Sequence, residues 1–247
     1  MEILTFFTPL ELNELTESAD VMIVFDVLGG STTITAALNG GISRAVPVSR
    51  VDEALRLAQI LGRDYVLLAG EKNGRKVQGF DITCSPLEFT NGIAKGKTLV
   101  FLSDEFVEAV QGTNHSNRII MGCFNNIEAI VESIGRPDRV HLLCAGRSGK
   151  FSFEDAVCAG MLIETYIRRW GCEDGLNDAS VTSRYLYGRH THDILQLLRD
   201  SNRGQFLARN GRERDLKFTA RTNITRIVPQ LSEDKTHIVS GDVKLVA

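Results

Sequence analysis

Val140-His-Leu-Leu-Cys-Ala-Gly-Arg-Ser-Gly-Lys-Phe-Ser-Phe-Glu-Asp-Ala-Val-Cys-Ala-Gly160 is the stretch that decides the fold. Residues 140–145 form a short apolar run, the pattern of a central strand. Gly146 and Gly149 let the backbone turn sharply and approach a ligand closely. Ser152 is placed to cap a helix, with Asp155 three residues on as its capping-box partner. Arg147 and Lys150 stand just before that helix start, where free N–H groups and the dipole favour an anion such as a phosphate or sulfonate. Asp155 or Glu154 is available for a metal. Ordinary strand–turn–helix units that bind nothing share much of this pattern.

The same architecture recurs upstream. Val21-Met-Ile-Val-Phe-Asp26 is an apolar strand ending in an acid. Val27-Leu-Gly-Gly-Ser-Thr-Thr follows, then a helix over 32–39 stopped by Gly40-Gly41. Ser31 is the expected N-cap. Ligands bind at the carboxyl edge of open α/β sheets, so Asp26 is well placed. A carboxylate beside hydroxyls and free helix N–H groups suits Mg²⁺ with phosphate.

Composition narrows the classes. Hydrophobic residues make up 43% and charged residues 24% of 247, which is ordinary for a globular chain. A net charge of −3 gives no bulk attraction to nucleic acid. The start, Met1-Glu-Ile-Leu-Thr-Phe-Phe, has no basic leader pattern, and no apolar run approaches the ~20 residues of a membrane span. A cytoplasmic protein with no membrane partner is the expectation, and a homo-oligomer is compatible with it. The five cysteines form no Cys-x-x-Cys pair and are expected to be free thiols, with Cys144 and Cys158 packed in the core.

Further along, Thr8-Pro9-Leu-Glu11 is a capping box that predicts a helix over 9–18. Strands are expected at 42–48, 65–69, 99–102 and 118–121, and helices at 52–61, 125–134, 154–170, 180–187, 190–200 and 203–209. The end, 236–246, reads as a hairpin around Gly241-Asp242. The fold class is α/β: a mixed, largely parallel sheet with helices on both faces, two similar strand–Gly–helix halves and a C-terminal β-hairpin. Residues 1–247 read as one intertwined domain, with 1–135 and 136–247 as the natural subdomains.

Gly70-Glu-Lys-Asn-Gly-Arg-Lys-Val-Gln-Gly-Phe-Asp-Ile-Thr-Cys-Ser-Pro-Leu-Glu88 has neither helical nor strand period. Its length as a connection is itself a mild functional sign. Glu71, like Asp26, follows a strand end; such carboxylates gather into one Mg²⁺ site or else belong to a solvated loop of mixed charge. Gly146-Arg-Ser-Gly-Lys-Phe lacks the spacing of a phosphate-binding P-loop, and no Gly-x-Ser-x-Gly nucleophile turn is present. The arginines from Arg199 to Arg226 read mainly as a solvated face, from which one or two could close over an anionic substrate.

Three blocks in order, Asp26-Val-Leu-x-x-Ser-Thr-Thr, Gly70-Glu-x-x-Gly…Gly79-Phe-Asp…Ser85-Pro-Leu-Glu88 and Cys144-Ala-Gly-x-x-Gly-x-x-Ser-x-Glu-Asp-x-x-Cys-Ala-Gly160, resemble the 2-phosphosulfolactate phosphatase family. Gly211-x-x-x-Asp215-Leu and Val228-Pro229 resemble its ending. The resemblance implies Mg²⁺-dependent hydrolysis of the phosphate ester of a small anionic 2-hydroxy acid, as in 2-phosphosulfolactate to sulfolactate, a step of coenzyme M synthesis in methanogens. It implies Asp26, Glu71 and Asp155 as catalytic groups and Asp26, Glu71, Asp81 and Asp155 as metal ligands. It also implies Ser31, Thr32, Lys72, Ser85, Gly146, Arg147, Gly149 and Ser152 as contacts to substrate or phosphate. Where the family has Arg-Ala this chain has Gly29-Gly30, and Lys72 and Cys84 replace an Arg and an Asn. A neutral Thr-Thr-Asn-Gly turn is replaced by Ser103-Asp-Glu-Phe106, which adds two negative charges near the site. The alternative reading is a member that binds a small anion or a protein partner without turnover.

Overall fold

The computed structural model describes residues 1–14, 18–89, 92–111, 113, 116–171 and 175–241. In chain order these form β1 (Glu2–Phe6), β2 (Ala19–Phe25), α1 (Gly30–Asn39), β3 (Arg44–Val48), α2 (Val51–Leu61) and β4 (Val66–Ala69). A small ribbon, β5 (Glu71–Lys72) and β6 (Arg75–Lys76), precedes β7 (Thr98–Leu102), α3 (Asp104–Gln111), β8 (Ser116–Gly122), α4 (Ile127–Ile134) and β9 (Arg139–Cys144). Then come α5 (Phe153–Trp170), α6 (Asp178–His190), α7 (Ile194–Asp200), α8 (Asn202–Arg209) and α9 (Glu213–Thr219), and last β10 (Pro229–Leu231) and β11 (Ile238–Ser240).

The main sheet runs β1-β9-β2-β8-β10-β11-β3-β7-β4. Two parallel blocks, β1-β9-β2-β8 and β3-β7-β4, are joined by the antiparallel hairpin β10–β11. The joints are slight: Gln230 bridges to Ile120 on one side and Ile238 to Ala45 on the other. The two strand–Gly–helix units are immediate neighbours, because β2 pairs with β9 from Val21↔Val140 to Phe25↔Cys144.

Alternation along β2 sends its side chains to opposite faces. Ile23 and Phe25 pack with Val157, Cys158 and Leu162 of α5, while Met22 and Val24 pack with Ile34 and Ala37 of α1. Adjacent strands whose following helices leave to opposite faces make a crevice at their carboxyl ends, the usual ligand position of such sheets. The α1-side core also takes Ala45, Leu67, Leu99 and Phe101 from the second block, so one core is shared by both blocks. The loops after β4 and β7 line one cavity with Asp26, through Glu71, Lys72, Ser103 and Asp104. A third cluster packs α2 through Ala54 and Ala58 onto Val48, Val66, Leu68 and Val100.

Several local expectations need correction. The 9–18 helix is a 3-10 turn over Pro9–Glu14 in which Thr8 N–H donates to Glu11 Oε1 at 2.9 Å; residues 15–17 lie outside the described part. The terminal strand pair is 229–231 with 238–240, and the expected strand 242–246 lies outside the described residues. Ser103–Phe106 leads into α3 instead of forming a turn, because Phe106 and Ala109 bury one face of it. Strand β1 and helix α9 went unread in the sequence. Four thiols, Cys84, Cys123, Cys144 and Cys158, are free, and Cys172 is outside the described residues. His141 is buried and meets the Phe6 ring edge-on at 5.2 Å, as a packing residue. Among the described residues no helix is long and apolar enough to cross a membrane.

Helices α5 and α6 touch where Gly160 faces the Ser183 carbonyl. A Cβ at position 160 would lie 2.0 Å from that oxygen. Gly160→Ala is therefore expected to lower stability by about 1–3 kcal/mol, the usual cost of overpacking. A thermal melt of the variant that superimposes on the parent would show that α6 retreats freely and would refute this reading.

Candidate active site

The strand β2 delivers Asp26 to the crevice, where the chain must turn into α1. The Asp26 carboxylate does the capping: Gly30 N–H donates to its Oδ2 at 2.5 Å. Ser31, expected as the N-cap, instead lies inside α1 and is fully buried. Its hydroxyl donates to the Val24 carbonyl at 3.1 Å and accepts Asp26 N–H at 3.0 Å. Thr32 donates to the Val27 carbonyl at 2.7 Å. Both hydroxyls donate to the backbone of the turn. Burial, with Glu105 nearby, pushes the Asp26 carboxyl up from 3.8 to about 6, against the opposing pull of the Gly30 amide, Arg203 and Arg147.

The glycines that follow leave room for close neighbours, the Asp26 carboxylate end at Gly29 and a core ring at Gly30. A Cβ at Gly29 would sit 2.2 Å from Asp26 Oδ1, and one at Gly30 would sit 2.4 Å from Cδ2 of the buried Phe106 ring. Gly29-Gly30 and the Ser103–Phe106 segment are thus one coupled feature, since Phe106 fills the space over Gly30.

At the second unit, Ser148 and Gly149 have φ of 50° and 70°. The 147–150 turn closes on itself through Arg147 N–H to Lys150 O at 2.9 Å and Lys150 N–H to Arg147 O at 3.0 Å. Positive φ at both central positions is the hairpin geometry that favours glycine. Gly146 is needed because a Cβ there would lie 2.5 Å from the Lys150 carbonyl oxygen. Ser152 caps α5 as expected, accepting Asp155 N–H at 3.4 Å. The Asp155 side chain leaves the crevice and accepts Val27 N–H at 2.8 Å, tying the start of α5 to the turn before α1. Burial, then the charges of Glu154 and Asp26, push Asp155 well above the usual carboxylate range; burial also raises Glu154. The first turn of α5 is thus filled by the chain's own acids and is not an open phosphate cradle.

The third element is the ribbon after β4, turned by Asn73-Gly74 with φ of 53° and 75°. Glu71 is 7% exposed and binds two guanidinium groups, Arg203 at 2.9 Å and Arg212 at 2.7 Å. Arg212 also pairs with Asp215, which accepts the Ser85 hydroxyl at 2.7 Å. Asp81 pairs with Arg63 and accepts Leu68 N–H at 2.8 Å, away from the crevice.

A cavity of about 500 Å³ opens between these elements. Asp26, Gly29, Glu71, Lys72, Arg147, Arg203, Asp104 and Glu105 are among its walls. Of the phosphate contacts expected from sequence, Lys72 and Arg147 reach it, while Ser31, Thr32, Ser85, Gly146, Gly149 and Ser152 do not. The four carboxylates expected to share Mg²⁺ do not converge as free ligands: Glu71 is held by arginines, Asp81 by Arg63, and Asp155 by a backbone amide. Among the described residues no group of three or more His, Cys, Asp or Glu side chains is placed to hold a metal. Cys84 also lines the cavity, but burial, with the charge of Glu71, raises its thiol and makes it inert as a nucleophile. Sequence pattern pointed to one or two arginines of the Arg199–Arg226 set and to the two acids of Ser103–Phe106, but not to which arginines reach the site or to their pairing with Glu71. Their shared partner Glu71 lies 132 and 141 residues away, and no local pattern announces it.

The family profile described as 2-phosphosulpholactate phosphatase matches residues 6–234. A probable 2-phosphosulfolactate phosphatase of Caldanaerobacter subterraneus is 32% identical over 228 residues, covering 92% of this chain and 94% of that protein. One from Clostridium acetobutylicum is 34% identical over 209 residues, covering 84% and 88%. One from Symbiobacterium thermophilum is 32% identical over 214 residues, covering 86% and 91%. With most of its length matched by the profile and by relatives at this identity, the chain belongs to the 2-phosphosulfolactate phosphatase family.

Proposed function

We propose that the protein hydrolyses the phosphate ester of a small anionic 2-hydroxy acid, of which 2-phosphosulfolactate is the type. The observation that carries this reading is the cavity in which a single carboxylate with a raised pKa, Asp26, shares the walls with Lys72 and Arg147. The cations take the dianionic phosphoryl group, and ionised Asp26 acts on phosphorus. It either takes the proton of the water that attacks phosphorus and passes it to the departing ester oxygen, or attacks phosphorus itself while the ester oxygen leaves with a proton from water, the aspartyl phosphate then being hydrolysed; both routes need the carboxylate. The products are the free hydroxy acid and inorganic phosphate. Asp155 touches no substrate in this reading. It positions the 26–30 turn through the Val27 amide.

Magnesium dependence is part of the proposal, in a reduced form. Asp26 alone among the four expected ligands faces the cavity without a guanidinium partner. An ion there would rest on Asp26, water and substrate oxygens, the sparse protein coordination Mg²⁺ accepts. It would neutralise charge on the phosphoryl oxygens. Phosphate release from 2-phosphosulfolactate and related esters, assayed with Mg²⁺ and again with EDTA, is expected to be metal-dependent. Equal rates in both buffers would remove the ion from the reading. Binding without turnover is the second reading, favoured by Asp104 and Glu105, which add negative charge to the cavity wall. Absence of phosphate release from every ester would select it.

A further inference from the structure

Arg203 stands in the first turn of α8, started by Ser201, whose hydroxyl accepts Gly204 N–H at 3.0 Å. Its side chain is 14% exposed and reaches across to the other lobe of the site. Nη2 donates to Glu71 Oε1 at 2.9 Å, and Nε donates to the Leu28 carbonyl at 3.4 Å. The guanidinium lies 5.0 Å over the Phe206 ring, which fixes its plane. An arginine carries five N–H donors. Among the described residues nothing accepts from Nη1, and Arg203 lines the cavity beside Gly29 and Asp26.

Glu71 does not exhaust this charge, because it serves two arginines at once. Arg212 binds its other oxygen at 2.7 Å and is braced in turn by Asp215, which holds the Ser85 hydroxyl. The carboxylate is therefore fixed between two partners and holds the Arg203 fork at a set angle. A guanidinium tied on one edge, stacked on a ring and open on the other edge is preorganised for an anion and needs no reorganisation during reaction. Its Nε contact is to the carbonyl of residue 28, two residues beyond Asp26. The anion that reaches Asp26 is the phosphoryl group.

We infer that Arg203 is a catalytic residue whose free guanidinium edge binds the phosphoryl group beside Asp26, and that Glu71 and Arg212 are positioning residues that aim it. This rests on the phosphatase reading. Lys72 and Arg147 are exposed side chains and neutralise charge from the rim, whereas Arg203 gives directional hydrogen bonds from a rigid mount.

The test compares the parent with Arg203→Ala and Arg203→Lys in the full chain. The readouts are phosphate release from an ester carrying a second anionic group and from one carrying none, calorimetric binding of inorganic phosphate, and melting temperature. Arg203→Ala is expected to lose about 10²–10³-fold in kcat on both esters, the scale of a removed oxyanion donor. Its phosphate binding is expected to weaken, and added guanidinium ion to restore part of the rate. Arg203→Lys keeps the charge but not the fork, so it is expected to stay at least about tenfold below the parent. Loss confined to the ester with a second anion would overturn the assignment to the phosphoryl group. Unchanged phosphate affinity in folded Arg203→Ala would overturn it as well, since a merely structural arginine would alter melting alone. If the parent itself releases no phosphate from any ester, the phosphatase reading fails. The binding arm then judges Arg203 independently: weaker phosphate binding in Arg203→Ala upholds the guanidinium as the anion site, and equal binding refutes it.

Discussion

Asp26→Asn is expected to reduce phosphate release at least about 10²-fold at neutral pH while the fold is retained and even gains stability. The amide oxygen of Asn still accepts the Gly30 N–H that caps α1. What disappears is the ionised carboxylate. The stability sign follows from the raised pKa. In the folded protein Asp26 titrates at about 6 against 3.8 ordinarily. Its stabilising contribution is therefore complete below 3.8 and is lost as pH rises through about 6. Above that, the parent bears the cost of a charge at a largely buried site. The shift corresponds to about 1–3 kcal/mol at about 1.4 kcal/mol per unit. Metal-free denaturation curves at pH 4.5 and pH 8 should show the Asn variant gaining more on the parent at the higher pH. Equal stability at both values would mean that Asp26 is not desolvated. Activity that survives in the variant would remove Asp26 from the chemistry.

The second large effect concerns Glu71. Truncation to Ala leaves Arg203 and Arg212, 14% and 17% exposed, without the carboxylate they share. Breaking a buried pair from one side costs about 3–5 kcal/mol, which for a chain of this size lowers Tm by roughly 10 °C. Glu71→Gln keeps an acceptor for one guanidinium and should lose less. This outcome separates two roles for the same residue. A metal ligand or proton carrier would lose activity with melting nearly unchanged, whereas a strut between α8, α9 and the ribbon loses both together.

These two acids also show what was legible in the sequence. Both follow a strand end, and the strands themselves were readable from short apolar runs: β2, β4, β7, β8 and β9 fall where periodicity put them. The strand–Gly–helix units and the capping of α5 by Ser152 were local, and local rules recovered them. Asp26 and Glu71 looked alike because their difference is not local. One ends beside a backbone amide in a cavity, and the other between two arginines contributed from 132 and 141 residues away. Helix α3 was hidden because two acids after a strand resemble a turn. Ser103 starts the helix, its hydroxyl accepting Phe106 N–H at 3.3 Å, and Phe106 is buried over Gly30. Ser31 and Thr32 had the right chemistry for phosphate, but burial spent it on their own backbone.

The hairpin β10–β11 has a consequence for how the chain is made. It is among the last described segments to be synthesised, yet it lies between the two parallel blocks and touches each through one bridged pair. Until residues 229–240 arrive, β8 and β3 are open edges with nothing to pair against, the kind of edge that recruits strands from other chains. The first block already closes over long separations, Glu2 pairing with Arg139 and Val21 with Arg118, and the hairpin adds a further such closure between the blocks, so sealing the sheet is slow. Until the hairpin docks, both edges stay open, and exposure to misassembly lasts as long as that docking takes.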